Sequence, residues 1–369
     1  MMKTFKYRIF PENRQRKLLN LMLLECCWLY NKLLEQRKTL YETHKQSVSY
    51  YDQKKKIPEL KIQRPTLKNV HSQTLQNVVM RIELAFQSFF RRIKEKEIPG
   101  YPRFKSGCRY SSLTFGQFDK TGCRLINGKL AVSKVGDIKI KIHRPLQGTP
   151  KIATITRSST GKWYVSIVCD IQPHLLPISN MNIGIDMGLE NFATTHDGQV
   201  IENPKFFRNS EKKLAKVQRK LSKCATGTSE RTKARKAVAR VHERIAWKRD
   251  NFCHQESRKV INKYQIICTE NLNIKKMSES VVIGRNKSIR DVAWGAFLNM
   301  ISAKAVEAGR MHVKVNPAYT SQDCSGCNKN RQKMPSHIRI YRCPKCGLEL
   351  HRDVNAARNI FRLGMQSLA

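Results

Sequence analysis

Four cysteines carry the plainest chemistry in this sequence. Cys324-x2-Cys327 and Cys343-x2-Cys346 are separated by 15 residues. Each CxxC turn can present two thiolates to one ion, and Zn2+ takes four in a tetrahedron. Ser325-Gly326 and Gly347 supply the small residues that such tight turns need. A redox dithiol pair is the competing reading, but no thioredoxin-like βαβ pattern surrounds the cysteines. With four thiolates and no position left for water, one zinc here is expected to be structural. It would close a segment too short to build its own core.

Three acids form the second constellation. Asp186 follows the apolar run IGI, Glu270 follows IICT, and Asp353 opens the last helical segment just past the cysteines. A nuclease that positions two Mg2+ ions, roughly 4 Å apart, needs carboxylates converging from separate segments. Mg2+ retains waters, so a few carboxylates suffice. Taken singly, an Asp after a strand is more often a turn residue, and Asp353 reads as a helix cap. Their order is more telling: strand-Asp, hairpin, helix, strand-Glu, helix, strand, helix-Asp. That is the layout of an RNase H-like α/β core, a mixed sheet with helices on both faces. GIDMG also fits the first phosphate hairpin of actin-like ATPases, but the further Gly-rich loops of that fold are missing from the sequence.

The elements that must position these residues follow from periodicity. KTFKYRIF (3–10) reads as a strand, and 13–45 as a long helix with Leu19, Met22, Leu23, Cys26, Tyr30, Leu33 and Leu34 on one face. A polar, Lys-rich stretch covers 46–70. A second helix, 72–97, carries the stripe Leu75, Val78, Val79, Ile82, Phe86, Phe89 and Ile93, which is expected to pack in a core rather than stack on bases. From 110 to 170 the period becomes two. IKIKIHRP (138–145) is a strand with one apolar and one cationic face, the latter suited to phosphate contact, and 150–170 reads as a hairpin turning at Thr160-Gly161. The segment 176–182 is a boundary. Beyond it come strand 182–187, a hairpin turning at Asp197-Gly198 and a helical hairpin over 211–263 with 17 Lys+Arg against 5 Asp+Glu. A strand ending at Glu270, a polar loop (277–290), a helix (291–308), strand MHVKVNP, the cysteine segment and a helix from Arg352 to about Leu363 complete the chain.

The 369 residues include 70 Lys+Arg against 28 Asp+Glu, a formal net charge of +42. So large a charge needs a polyanion to offset its self-repulsion, and nucleic acid is the expected one. No run of 18 apolar residues occurs. The best candidate, Leu18 to Leu34, is interrupted by Asn20, Glu25, Asn31 and Lys32, so no membrane span is expected. MMKTFKYRIF lacks the apolar run of a signal peptide. The expected location is the cytoplasm of a prokaryote, beside the nucleoid, with reduced thiols. The other eight cysteines are then small apolar core residues.

In order along the chain, KYRIFPENRQ, LYNKLLEQR, AFQSFFRRIKEKEIPGYPRFKS, GIDMGLENFATTHDG, TENLNI, DVAWGAFLNM and AYTSQDCSGC…YRCPKCGLELHRDVNAARNI resemble the TnpB family of insertion sequences, relatives of type V CRISPR effectors. The resemblance spans nearly the whole chain, and its last segment is the most specific. It implies a multi-domain α+β protein: a wedge-like, barrel-like β-domain (1–10 and 98–176), an inserted helical recognition lobe (11–97), an RNase H-like RuvC-type nuclease domain (177–321 and 351–369) and an inserted zinc ribbon (322–350). It implies Asp186, Glu270 and Asp353 as catalytic Mg2+ ligands, and Cys324, Cys327, Cys343 and Cys346 as zinc ligands. It further implies a monomer that binds an RNA from the element's own end and makes RNA-guided double-strand cuts in DNA. The chain ends soon after its last helix, so contacts from a C-terminal tail to RNA are not expected. HSQTLQN, at the second helix start, is a candidate for reading the flanking DNA motif. Two other functions fit the same acids and charge: a nucleic-acid-binding regulator of transposition, and a strand-transferring transposase.

Overall fold

The computed structural model describes residues 1–277, 283–328, 334, 335 and 337–368. The chain divides into two compact units, Met1–Gln172 and Pro173–Ala369.

The first unit is built on one antiparallel sheet. Strand β1 (Met2–Phe10) alternates strictly, with Phe5, Tyr7 and Ile9 buried and Lys6 exposed, as a half-buried strand must. Four helices follow: α1 (Asn13–His44), α2 (Tyr50–Lys55), α3 (Ile57–Gln63) and α4 (Ser72–Lys94). The chain then returns for β2 (Ser112–Phe115), β3 (Cys123–Ile126), β4 (Lys129–Val132), β5 (Gly136–Lys141), β6 (Thr149–Arg157) and β7 (Trp163–Asp170). The sheet order is β2-β6-β7-β1-β5-β4-β3, so the N-terminal strand sits between partners more than 120 residues away and the helices are an insertion.

Helix α1 opens with a capping box between Glu12 and Gln15 and buries all seven expected stripe residues. The stretch read as polar and Lys-rich holds more order than that: α2, α3 and a 3-10 turn at Pro65–Asn69. Ile57, Leu60, Leu67 and Val70 pin it to the core, while Ser49 and Asp52 cap α2 reciprocally. Two polar pairs tie the helices together. Arg64 forms a fork on Glu25 at 2.6 and 3.0 Å, and Arg37 bridges Gln53 and Glu83, each at 2.8 Å. In α4 the stripe is core as far as Ile82, but Phe86 and Phe89 are half-buried and Ile93 is exposed, because the helix outruns the sheet beneath it. Strand β5 buries Ile138 and Ile140 and exposes Lys139 and Lys141, but it stops at Lys141. Ile142 is exposed, where a strand reaching 145 would have hidden it.

The second unit has a five-stranded sheet of order β10-β9-β8-β11-β12, formed by β8 (Asn182–Met187), β9 (Asn191–Thr195), β10 (Val200–Glu202), β11 (Ile266–Glu270) and β12 (Met311–Val315). Strands β8, β11 and β12 run parallel; β9 and β10 are antiparallel. Between β10 and β11 lies the basic hairpin, α5 (Phe206–Lys223) and α6 (Ser229–Lys263). It has a small core of its own around Leu214, Val241 and Ile245. At 35 residues, α6 is roughly 52 Å long.

Where a polar loop was expected at 277–290, two helices occur: α7 (Ile274–Met277) and α8 (Ile283–Val292), with 278–282 outside the described residues. Ile289 and Val292 are buried, which a solvated loop would not allow. Asp291 accepts the backbone N–H groups of Phe207 and Arg208 and pairs with Arg249 at 2.6 Å, anchoring the start of the basic hairpin. Ala293, in the left-handed region, breaks α8 from α9 (Trp294–Ala308). The cysteine segment folds around a short hairpin, β13 (Ile340–Arg342) and β14 (Glu349–His351), and runs into α10 (Arg352–Gln366). Among the described residues no helix is long and apolar enough to cross a membrane.

Candidate nuclease centre and cysteine site

The strand period of two sorts the second sheet into two faces. Ile183, Ile185 and Ile267 join the core beneath α6 and α9, so Gly184, Asp186, Cys268 and Glu270 point to the other side, where α10 lies. Strands β8 and β11 pair in parallel with Cys268 beside Gly184 and Thr269 beside Ile185. The next step along that register sets Glu270 beside Asp186, at the carboxyl ends of the two strands.

Helix α10 brings the third acid. A Cβ at Gly184 would lie 2.5 Å from the Ala357 carbonyl oxygen and from Phe361 Cβ, and one at Gly364 would collide with Cys268 Sγ. The two glycines therefore let α10 lie directly on β8 and β11. Asp353 is one helical turn before Ala357, roughly 6 Å along the axis. Asp186 is two residues beyond Gly184, about 6.6 Å along the strand. The two displacements match, and Asp353 is delivered to Asp186.

Electrostatics report the convergence. Burial holds the Asp186 carboxyl well above the usual carboxylate range, and the Glu270 and Asp353 charges raise it further. The Met187 backbone N–H and Arg352 oppose them. Glu270, 8% exposed, is also raised by burial, with the Thr320 hydroxyl opposing. Asp353 faces Arg339 Nη1 at 3.7 Å, and the same guanidinium holds Glu190 at 2.6 Å. Among the described residues, only the four cysteines form a group of three or more ligand atoms all within 4.8 Å of one another; the three carboxylates are spread more widely.

In the cysteine site, Cys324 and Cys346 Sγ atoms are 3.6 Å apart and those of Cys327 and Cys343 are 3.8 Å apart. A tetrahedron of sulfurs, each about 2.3 Å from a central zinc, has edges of about 3.8 Å. The four-cysteine group thus has the geometry to hold one metal ion. The turns that form it are local: Asn328 N–H donates to the Cys324 carbonyl, Gly347 N–H to the Cys343 carbonyl, and Gly347 takes a φ of 69°. Burial alone would raise the Cys343 thiol. The N–H groups of Cys346 and Lys345 and the neighbouring thiols outweigh it and bring Cys343 down to about 6.

Sequence reasoning missed the residues between the two sites. Thr320, 4% exposed, donates to Glu270 Oε1 at 2.5 Å. Asn359 donates to the carbonyls of Thr320 and Asp323 at 2.9 and 2.7 Å. Asn355 donates to the Asp323 carbonyl and accepts the Ser325 N–H at 2.9 Å. One signal was available: Asn355 and Asn359 stand at i,i+4, on the helix face that also carries Ala356 and Ile360. His312 was also missed. It is half-buried between Thr269 Oγ1 and Ser302 Oγ, and loss of solvent, then Lys314, lowers its pKa to about 4. The HSQTLQN segment is largely occupied by its own unit. His71 caps α4, Gln73 bonds Gln117 at 3.0 Å, Thr74 is buried, and Asn77 accepts from Arg81.

Fold and site define a class: a strongly basic, multi-domain α+β protein with carboxylates gathered at parallel strand ends and a four-cysteine metal site beside them. Comparison with known proteins narrows it. Three family models match: "Helix-turn-helix domain" over residues 1–46, "Probable transposase" over 166–281 and "Cas12f1-like, TNB domain" over 294–360. The first region here is a strand and one unbroken 32-residue helix. A "Putative RNA-guided DNA endonuclease" of Streptomyces pristinaespiralis is 32% identical over all of this chain and 90% of its own length. "Putative RNA-guided DNA endonuclease InsQ" of Escherichia coli K12 is 28% identical over all of this chain and 94% of its own. A solved chain from a Cas12f1-sgRNA-target DNA complex superposes with a TM-score of 0.61 at 14% identity, covering 98% of each chain, and so shares the fold. The chain belongs to the TnpB family.

Proposed function

We propose that this protein is an RNA-guided DNA endonuclease, with Asp186, Glu270 and Asp353 holding two Mg2+ ions. The observation that carries the reading is the buried Asp186 carboxyl, made hard to ionise by its own burial and by the two other acids. Anions gathered in that way are unfavourable without cations, and an all-oxygen donor set suits Mg2+. The strand order β10-β9-β8-β11-β12, with an acid at each of two neighbouring strand ends and at the helix lying on them, supports an RNase H-like, RuvC-type domain (177–321 and 351–369). The cysteine segment (322–350) is then a structural zinc ribbon. Residues 1–10 and 98–176 form the wedge-like domain, and 11–97 its helical recognition lobe.

Bound Mg2+ would supply an activated water and neutralise charge on the phosphodiester undergoing attack. Asp186, Glu270 and Asp353 would together hold the ions, with Asp186 under the influence of both other acids. Thr320 orients Glu270, and Arg339 offsets the charge of Asp353. The basic hairpin α5–α6 and the Lys139/Lys141 face contact phosphates without reading sequence, and base pairing with the guide supplies sequence specificity. His71 to Asn77 are proposed to lie near the flanking DNA motif.

The test is incubation of the protein and its co-purified RNA with end-labelled matching duplex in Mg2+. Cut ends on both strands are expected, and Asp186→Asn should leave RNA binding intact and remove cutting. Shifted bands without breaks would favour a binding-only regulator, and joined strands a transposase. Mg2+-dependent cutting by Asp186→Asn would refute the site.

A further inference from the structure

The polar residues between the cysteine site and the nuclease centre form one continuous run. Asn355 and Asn359, one turn apart on α10, are 0% and 1% exposed. Together they hold the carbonyls of Thr320 and Asp323 and the N–H of Ser325, the residue after the first metal-binding cysteine. Asp323 and Gln322 N–H groups both return to the Tyr319 carbonyl, closing a tight turn, and Tyr341 of the β13 strand donates its hydroxyl to the Gln322 carbonyl. At the near end of this turn the Thr320 hydroxyl meets Glu270. Its other possible acceptor, the Pro317 carbonyl, is farther, at 3.2 Å.

We propose that Thr320 is a positioning residue for Glu270, and that Asn355 and Asn359 hold it in place by tying residues 320–325 to α10. This rests on Glu270 being a metal ligand, as argued above. The physical case is direct. A buried carboxylate has several orientations about its terminal bond, and metal binding needs one of them. A fixed hydroxyl on Oε1 selects the orientation in which Oε2 remains free for an ion, and groups that orient metal ligands typically alter affinity about 10- to 100-fold. Because Asn355 sits on the same helix as Asp353, the arrangement also fixes two of the three ligands relative to one another. The cysteine segment thereby acquires a role in divalent-cation affinity beyond stabilising itself.

The experiment uses the full-length protein with its bound RNA. Thr320→Val removes the hydroxyl at nearly constant volume, and Thr320→Ser restores it. Two quantities are followed against Mg2+ concentration: the rise in melting temperature and the rate of DNA cutting. For Thr320→Val, half-saturation in both is expected to move about tenfold higher, with the rate at saturating Mg2+ and the melting temperature without divalent ions close to the parent's. Thr320→Ser should return both curves to the parent's position. Asn355→Ala should shift the same curves in the same direction by a smaller factor. If Thr320→Val melts lower but saturates at the parent's Mg2+ concentration in both measurements, the residue is structural only and the inference fails. Failure of the wider reading looks different: Asp186→Asn would still cut, whatever the behaviour of Thr320→Val.

Discussion

The cysteine site and the carboxylate centre occupy neighbouring stretches of one unit, yet they are assembled by opposite means. The four sulfurs come from two turns within 23 residues of chain, shaped by hydrogen bonds that each span a few residues. The three acids come from positions 186, 270 and 353 and meet only because a parallel register and a helix laid on two glycines bring them together. One site is local and largely pre-paid by its turns. The other exists only when the whole domain has folded. The ligand sets differ in the same sense, since three converging carboxylates repel one another when ionised, whereas the four sulfurs already sit at the spacing of tetrahedron edges.

The sharpest way to break this contrast is at Asp186. Asp186→Asn should remove detectable DNA cutting, a loss of at least about 10^3-fold, the equivalent of about 4 kcal/mol of transition-state stabilisation. The same change should stabilise the protein in the absence of divalent ions. The sign follows from burial and the two acidic neighbours, which raise the folded-state pKa of Asp186. The folded state therefore binds more protons than the unfolded one. This group's contribution is most favourable below its ordinary pKa and is lost as pH rises through the raised folded value. Melting curves without divalent ions should fall less steeply from acid to neutral pH for Asp186→Asn than for the parent. Equal slopes would mean that the acids are not packed as described.

The second test strikes the local site. One zinc per chain should be found by metal analysis, and Cys343→Ser should lose it. The N–H groups of Cys346 and Lys345 draw the Cys343 thiol toward its thiolate form. Loss of the ion should expose residues 322–350 to protease and lower the melting temperature by several degrees, the effect of a few kcal/mol in a domain of this size. The first unit should be spared. A zinc-free Cys343→Ser protein that resists protease as the parent does would show that the turns hold without metal.

These differences explain which features the sequence alone makes legible. The cysteine quartet needs only spacing, and spacing is printed in the sequence. Asp186 and Glu270 were legible as strand ends, because apolar runs IGI and IICT mark where strands stop, and Asp353 as the start of a helix. The long helix, the β6–β7 hairpin and the basic hairpin followed from period and turn residues for the same reason. What escaped notice was set by tertiary context. Residues 46–70 look solvated because Ile57, Leu60, Leu67 and Val70 are few among polar residues and Pro58 and Pro65 break the segment into short pieces. The 283–292 helix is written mostly in polar residues and is identified by burial of Ile289 and Val292. The contact of Thr320 with Glu270 is made by tertiary packing alone, and the i,i+4 spacing of Asn355 and Asn359 marks a shared face but not the backbone groups they hold.

Two glycines provide milder tests, one for each mode of assembly. Gly184→Ala adds a methyl 2.5 Å from the Ala357 carbonyl oxygen, which cannot move without α10. A cost of about 1–3 kcal/mol is expected from overpacking. The shift of α10 should also displace Asp353, so cutting at limiting Mg2+ should fall by more than the loss of folded protein explains. Unchanged Mg2+ dependence in Gly184→Ala would remove α10 as the element that sets the distance between the acids.

Gly347→Ala is the smallest change and the most local. No atom lies within 4 Å of the added methyl, so packing does not oppose it. The obstacle is the backbone, at a φ of 69°, where an L-residue costs roughly 1–2 kcal/mol. That strain is confined to the turn between Cys346 and Leu348, which carries the last metal ligand. Zinc should still bind, but release to a chelator should be faster by about tenfold, the factor that 1.4 kcal/mol represents. The Mg2+ dependence of cutting should be unaltered while zinc remains bound, because Thr320 and the two asparagines lie on the Cys324 side of the segment. A changed Mg2+ dependence in zinc-loaded Gly347→Ala would mean that the two sites are coupled through the β13–β14 hairpin and not through residues 320–325.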